Sequence, residues 1–388
     1  MAPRYVDQIP RFARDEVLLS SSPIRLSVPR FSRLLSPVAC LPSPVSRLIF
    51  PPMSFRIEST RGGVVESIHR VSAAVVDAKG RLVASAGDPT LVTFWRSAAK
   101  PFQAMALVKD GAADRWHFDE RALALACASH SSEPIHRELA ESMLQQVGLT
   151  ESALACGPHP PLGPAIAEAV VRHGITMSPC WSNCSGKHAG MLALALHHEW
   201  PISGYQNQGH PVQERILQEV VRWTGIPSEQ LLQAVDGCTT VCFGLPLEAM
   251  ALAYARFAAT KETAAVRLRT AMVRHPDLVA GSGRPCTDIM TAGAGRLVAK
   301  IGADGIYCAG IIPGGLGIAI KVEDGDMRSS SVALIGVLRQ LEAKLPLKLD
   351  LANPPEAVAR HAEMVTRNTR GLVTGTLRAA GDLRFSGH

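Results

Sequence analysis

The strongest constraint on the fold of this chain is that strand-like sequence lies toward both ends and helical sequence fills the middle. Val71-Ser72-Ala73-Ala74-Val75-Val76-Asp77 runs through Ala78-Lys79-Gly80 into Arg81-Leu82-Val83-Ala84. Two apolar runs around a short Gly-containing turn predict a hairpin within 64–86. Residues 296–301, 305–312 and 316–322 repeat the pattern, joined by Ala303-Asp304-Gly305 and Pro313-Gly314-Gly315. Between these regions, residues 98–109, 120–127, 134–147, 164–173, 187–198, 211–223 and 245–258 carry apolar residues at helical spacing. Residues 329–344 predict a further helix able to pack on the sheet. This order predicts an α+β fold, with the sheet built from both chain ends around a helical middle region.

Composition narrows the function. The 388 residues are 47% apolar with a net charge of +6, which supplies a large core and excludes disorder for most of the chain. No apolar run reaches the ~18 residues a membrane span needs. The basic excess sits in residues 1–52, where seven Arg face three acidic residues. A basic tail is no basic binding face, so the charge gives no case for nucleic acid. Nine cysteines are too few for a disulfide scaffold. They suit a reduced, cytoplasmic protein whose thiols are free to bind metal.

Residues 1–52 also hold nine Pro and eight Ser, and the prolines break every candidate period. We read 1–52 as a disordered or mis-annotated extension, with Met53 as an alternative start, and 53–388 as one catalytic domain. Targeting fits less well, because Asp7, Asp15 and Glu16 interrupt the Arg-rich character.

Nucleotide and zincin signatures are absent: there is no G-x-x-x-x-G-K-[ST], no G-x-G-x-x-G after a strand and no H-E-x-x-H. Ser97-Ala98-Ala99-Lys100 is an S-x-x-K whose ends share a face at a helix start. A serine hydroxyl needs a base, and a lysine is one only when burial or a nearby cation lowers its pKa. Trp95, Pro101 and Phe102 supply apolar surroundings and Arg96 a cation. Alone, the motif reads equally as a cap serine beside a solvated lysine. Ser129-His130-Ser131 and Lys300-Ile301-Gly302 complete the order S-x-x-K, S-x-[NS], K-x-G of serine acyl-transfer enzymes of the penicillin-recognising type. Ser131 stands where that pattern has Asn, and Ile301 where it has Thr or Ser.

Cys180/Cys184 and Cys238/Cys242 share C-x-x-x-C spacing, which allows a Cys₄ zinc site. An alternative draws on the polar, Gly-containing segments Asn183-Cys184-Ser185-Gly186-Lys187-His188 and Asp236-Gly237-Cys238. Cys40, Cys127, Cys156, Cys286 and Cys308 read as small buried hydrophobes.

Taken together, these segments resemble the L-asparaginase II family, the bacterial class 3 or inducible type. Trp95 to Pro101, Cys127-Ala128-Ser129-His130 and Asn183 to Met191 carry the resemblance. Gly209-His210-Pro211, Asp236-Gly237-Cys238, Gly283 to Thr287 and Lys300 to Gly305 add to it, from about residue 56 onward. The resemblance implies a serine β-lactamase-like architecture, a homodimer, and two Ser–Lys tandems, Ser97–Lys100 and Ser129–Lys300. It implies zinc on Cys184, Lys187 and Cys238, no organic cofactor, and Arg96, His188 and Asp236 near the substrate. Ser131-Ser132-Glu133 keeps the family's Glu but enlarges its surroundings.

The expected chemistry is hydrolysis of L-asparagine to L-aspartate and ammonia. Ser97 attacks the side-chain amide, Lys100 takes its proton, and Ser129 with Lys300 relays a proton to the leaving ammonia. Backbone N–H groups at the helix start hold the oxyanion. His130 is expected to position rather than act as a base. Two alternatives stand beside this: another serine amidase or β-lactam-recognising hydrolase, and a catalytically silent zinc-containing amino-acid-binding protein.

Overall fold

The computed structural model describes residues 54–351 and 353–387, so the expectations for 1–52, including Cys40, lie outside the described residues. The fold is α+β. Its main sheet runs β10 (Glu363–Arg367), β11 (Val373–Ala380), β1 (Arg56–Arg61), β2 (Val64–Asp77), β9 (Leu316–Val322), β8 (Ile306–Ile311) and β7 (Leu297–Ile301). β3 (Leu82–Ala86) also pairs with β2, and β12 (Arg384–Phe385) with β3. Every pairing between these strands is antiparallel.

β2 explains how the two chain ends meet. Its first half, Val64–Arg70, is mostly exposed and pairs with β1. Its second half, Val71–Val76, is buried and pairs with β9 from Val71↔Val322 to Asp77↔Leu316. A continuous apolar run suits a strand covered on both faces. β1 in turn pairs with β11, Ile57 opposite Ala379, which closes the sheet between the beginning and end of the described chain. The predicted 64–86 hairpin forms, with Gly80 at positive φ in its turn.

The helix Leu247–Ala259 lies on β2, β8 and β9. Gly317 permits this contact: a Cβ there would stand 1.9 Å from the Ala251 carbonyl oxygen and 2.3 Å from the Ala255 nitrogen. The helix Met327–Lys344 packs on β8, β9 and β11. In the helical middle, Ser185–His197 is buried throughout Ser185–Ala195. A helix apolar on all sides belongs inside a core, and here it is packed by Glu120–Ala126 and Pro134–Gln146. Gly186 lets Leu125 approach, since a Cβ would stand 2.5 Å from its side chain and carbonyl.

Two readings change in detail. Residues 98–109 form a 3₁₀ turn, Arg96–Ala99, followed by the short helices Lys100–Gln103 and Met105–Lys109. The helix expected at 245–258 begins at Leu247 because Leu245 and Pro246 end strand β6 (Val241–Pro246). β6 forms a second, smaller antiparallel sheet with β4 (Val92–Phe94) and β5 (Leu232–Val235).

Candidate active site and metal centre

The turn that bears Ser97 is anchored by aromatic packing. Trp95 stacks on Phe102 at 4.8 Å, and Tyr254 meets Phe102 edge-on at 5.3 Å. Such pairs contribute roughly 0.5–1.5 kcal/mol each beyond area burial. The Tyr254 hydroxyl donates to the Ala98 carbonyl at 2.8 Å, and the Trp95 N–H to the Phe243 carbonyl at 2.8 Å. Arg96 has positive φ, an uncommon and costly state for a residue with a Cβ. Ser132, Thr239 and Asp304 share it, as do His117, Glu199, Ala294, Lys348 and Asp350 elsewhere among the described residues.

Ser97 is partly exposed and opens onto a cleft of about 570 Å³ lined also by Ser129, Asn183, Arg284, Ile301 and Asp304. Lys100 does not hydrogen-bond Ser97. Its amine donates to the Ser129 hydroxyl at 3.0 Å, to the Asn183 carbonyl at 3.4 Å and to the Ala128 carbonyl. Lys300, on the edge strand β7, reaches the same hydroxyl at 2.8 Å and the Ile301 carbonyl at 2.8 Å. Ser129 is thus 3% exposed and flanked by two buried lysines. Burial, aided by the charges of Lys100 and Arg284, lowers the Lys300 amine from 10.5 to about 7. Both amines lie within donating distance of the Ser129 hydroxyl, and in its neutral form Lys300 can instead accept the Ser129 O–H, a geometry that allows proton transfer through Ser129.

His130 Nδ1 accepts the Ser132 N–H at 3.2 Å, which leaves the ring proton on Nε2 to face the Ser185 hydroxyl at 2.9 Å. Burial holds this ring well below the ordinary histidine range. Both ring nitrogens therefore have a partner, and burial favours the neutral ring. Arg96 donates to Asp236 at 2.9 Å and also to Asp304. Asp236 further accepts the Gly237 N–H at 2.8 Å and so closes its own turn. Asp304 sits with Gly305 at positive φ in the β7–β8 turn, where an Asp-Gly pair is favoured. Sequence reasoning quoted Asp304 without giving it a role; that turn signal was the clue to where its carboxylate points.

The metal candidates also converge. Lys187 donates to Cys238 Sγ at 3.0 Å and to the Thr240 hydroxyl at 2.7 Å. A hydrogen bond from Cys184, together with Lys187 and His188, holds the Cys238 thiol well below its ordinary range against the opposing effect of burial. Burial disfavours the Lys187 ammonium, but the charges of Cys238, Cys184 and Asp236 together outweigh it and raise this amine. His188 Nδ1 lies 2.6 Å from the Tyr205 hydroxyl, while its buried Nε2 has no partner. The Lys187 amine and Cys238 Sγ are in contact, with Cys184 and His188 near Cys238, and sulfur and nitrogen donors of this kind suit zinc; among the described residues Cys184, Cys238 and His188 do not by themselves close into a three-ligand cluster. The Cys₄ alternative is not assembled. Among the described residues, the ligand atom of Cys180 clusters with those of Glu141 and Glu151, and Cys242 lies on β6.

No helix among the described residues is long and apolar enough to cross a membrane. No curated protein matches the sequence. Similar solved structures include Mglu in its L-glutamate binding form, at 17% identity and TM-score 0.34, covering 72% of this chain and 60% of that one. The chain therefore spans less than two thirds of that relative's length. A β-lactamase from Desulfarculus baarsii is 18% identical with TM-score 0.31, covering 66% of this chain and 85% of that one. A β-lactamase from Mycobacterium bovis is 14% identical with TM-score 0.25, covering 71% and 94%. The family model of L-asparaginase II matches residues 57–379, a span that includes Ser97, Lys100, Ser129, Lys300 and the cysteine–lysine cluster: the chain belongs to the L-asparaginase II family.

Proposed function

We propose that this protein is an L-asparaginase, an amidohydrolase releasing L-aspartate and ammonia through a serine acyl-enzyme. The observation that carries the proposal is the Lys100–Ser129–Lys300 relay opening on the cleft that holds Ser97. Ser97 attacks the side-chain amide carbonyl and Lys100, three residues on and in its neutral form, takes its proton. The carbonyl oxygen gains the negative charge, which the N-terminal turn at Arg96–Ala99 stabilises. Ser129 passes a proton to the amide nitrogen, and the C–N bond breaks to release ammonia. Water then cleaves the aspartyl ester, returning the proton to the serine. Arg96 and Asp236 brace the turn around Ser97, and His188 stands beside the metal ligands.

Zinc held by Cys184, Lys187 and Cys238 would supply a fixed positive charge that orients the polar ends of the substrate. Lys187 must be neutral to serve as a ligand. We further propose a homodimer acting in the cytoplasm, with residues 53–388 as the catalytic domain.

One observation favours an exchange of roles. Both lysines touch Ser129 and neither is bonded to Ser97, so Ser129 is the hydroxyl already next to a base. Acid quenching during asparagine turnover, followed by peptide mass spectrometry, decides between them. An aspartyl adduct on Ser97 supports the proposal, an adduct on Ser129 reverses the roles, and acylation by penicillin without asparagine turnover favours the β-lactam-recognising alternative.

A further inference from the structure

Arg284 stands apart from the other arginines around the cleft. Its recorded hydrogen bond is from Nη1 to the Ser131 hydroxyl at 3.2 Å, and among the described residues no carboxylate pairs with it. The acids near it in the chain and in space are engaged elsewhere. Asp288, one helical turn on, accepts from Arg360 at 2.6 Å and His361 at 2.7 Å. Glu133 accepts the Ser282 N–H at 2.7 Å and the Ser282 hydroxyl at 3.0 Å. Arg96 differs: it is held by both Asp236 and Asp304. Arg284 is partly buried and its nearby carboxylate, Glu133, acts on it only at a distance, without a direct ion pair, so the guanidinium is incompletely compensated and burial lowers its pKa. A carboxylate arriving in the cleft offsets that cost with two parallel N–H···O bonds.

The guanidinium is also fixed in advance. Ser131 donates to the Ala280 carbonyl at 2.9 Å while accepting from Arg284. The turn before Arg284 closes with the Arg284 N–H on the Gly281 carbonyl at 3.3 Å, which Thr287 also bonds at 2.7 Å. Gly281 has φ +117, and a Cβ there would stand 2.6 Å from the Ser131 hydroxyl. The loop is therefore built for close approach of Ser131, and Ser131 sets the direction of Arg284.

We infer that Arg284 is the carboxylate anchor of the cleft and takes the α-carboxylate of the amide substrate, a role that Arg96, already neutralised, does not fill. The inference rests on the amide-hydrolysis proposal above and adds the residue that selects free α-carboxylates. It also gives a purpose to Ser131 at the position where the penicillin-recognising pattern has Asn: this serine serves the arginine.

The test measures binding and turnover separately in the full-length protein. Calorimetry reports L-aspartate binding to wild type, Arg284→Gln, Arg284→Lys and Arg96→Gln. Kinetics compare L-asparagine with its α-carboxamide, which lacks the carboxylate. Loss of a charged hydrogen-bonded pair predicts about 10- to 100-fold weaker L-aspartate binding and a matching rise in KM for L-asparagine in Arg284→Gln. Turnover of the α-carboxamide stays unchanged, Arg284→Lys recovers part of the loss, and Arg96→Gln shows no such selectivity. Equal losses on both substrates, or the selective loss in Arg96→Gln, overturn the anchor. Wild type that binds L-aspartate through Arg284 but hydrolyses no amide overturns the function and leaves the anchor standing. Wild type that does neither overturns both.

Discussion

Replacing Lys300 with methionine separates the cost of burying its amine from the use the site makes of it. Lys300 is fully buried, and its amine falls from 10.5 to about 7. Between pH 7 and 9 the unfolded chain keeps this lysine protonated while the folded chain goes from half to almost fully neutral. The unfolded state binds about half a proton more at pH 7 and nearly one more at pH 9, so stability rises with pH across that window, approaching 2.303RT per pH unit. Integrated over the two pH units this gives roughly 2.3 kcal/mol. Methionine fills a similar volume without titrating, and every other titrating group is common to both proteins. Urea unfolding of wild type and Lys300→Met at the two pH values yields the double difference. Wild type is expected to gain about 2 to 3 kcal/mol relative to the variant on going from pH 7 to pH 9. Ser129 also loses its acceptor, so asparagine turnover falls by about 10²–10⁴-fold, the usual contribution of a positioned proton-transfer group. A difference below about 0.5 kcal/mol between the two pH values would refute the neutral amine, and with it the direction assigned to the Ser129 proton.

Three further expectations concern the frame and the metal centre. Gly317→Ala places a methyl against the backbone of the helix Leu247–Ala259 and is expected to cost at least about 2 kcal/mol by overpacking, read from the denaturation midpoint. Burial acts to raise the Glu219 carboxyl, but hydrogen bonds from Arg215 and Arg222 outweigh it and hold it below 4.5. Its stabilisation is therefore complete above pH 4.5 and lost as acid titrates the folded carboxylate. Glu219→Gln removes the carboxylate shared by Arg215 and Arg222 while Asp110 and Glu262 still pair with them, and should cost about 1–3 kcal/mol at neutral pH and progressively less in acid. Zinc titrated into metal-free protein is expected to bind the Cys184, Lys187 and Cys238 set, with Cys238→Ser weakening it by at least about 10-fold. Unchanged affinity in that variant would direct attention to the Glu141, Glu151 and Cys180 cluster.

The strands that carry Lys300 were legible because their apolar runs are bounded by Asp-Gly and Gly-Gly turns, and β7, β8 and β9 fall where those signals place them. β1 was not legible: Arg56-Ile57-Glu58-Ser59-Thr60-Arg61 has little β-branched character, and it is a strand because β11, more than 300 residues away in sequence, pairs with it. The same limit applies within the site. Residue spacing identified Ser97, Lys100, Ser129 and Lys300, but i and i+3 proximity suggested that Lys100 meets Ser97. Its amine instead extends to Ser129, because the carbonyls of Ala128 and Asn183 offer it acceptors there. Thr240 beside Lys187, and Tyr205 beside His188, are partners supplied by distant loops, which no local pattern reveals. The C-x-x-x-C spacing suggested a four-cysteine centre because spacing carries no information about direction; Cys180 faces Glu141 and Glu151 instead.

The most direct test of the central claim is ammonia release from L-asparagine by the purified protein, run beside L-glutamine and beside Ser97→Ala. The account predicts ammonia and L-aspartate in equal amounts from asparagine, and loss of that release in Ser97→Ala while the variant stays folded. Undiminished release by Ser97→Ala, or no release by the wild-type protein, would contradict it.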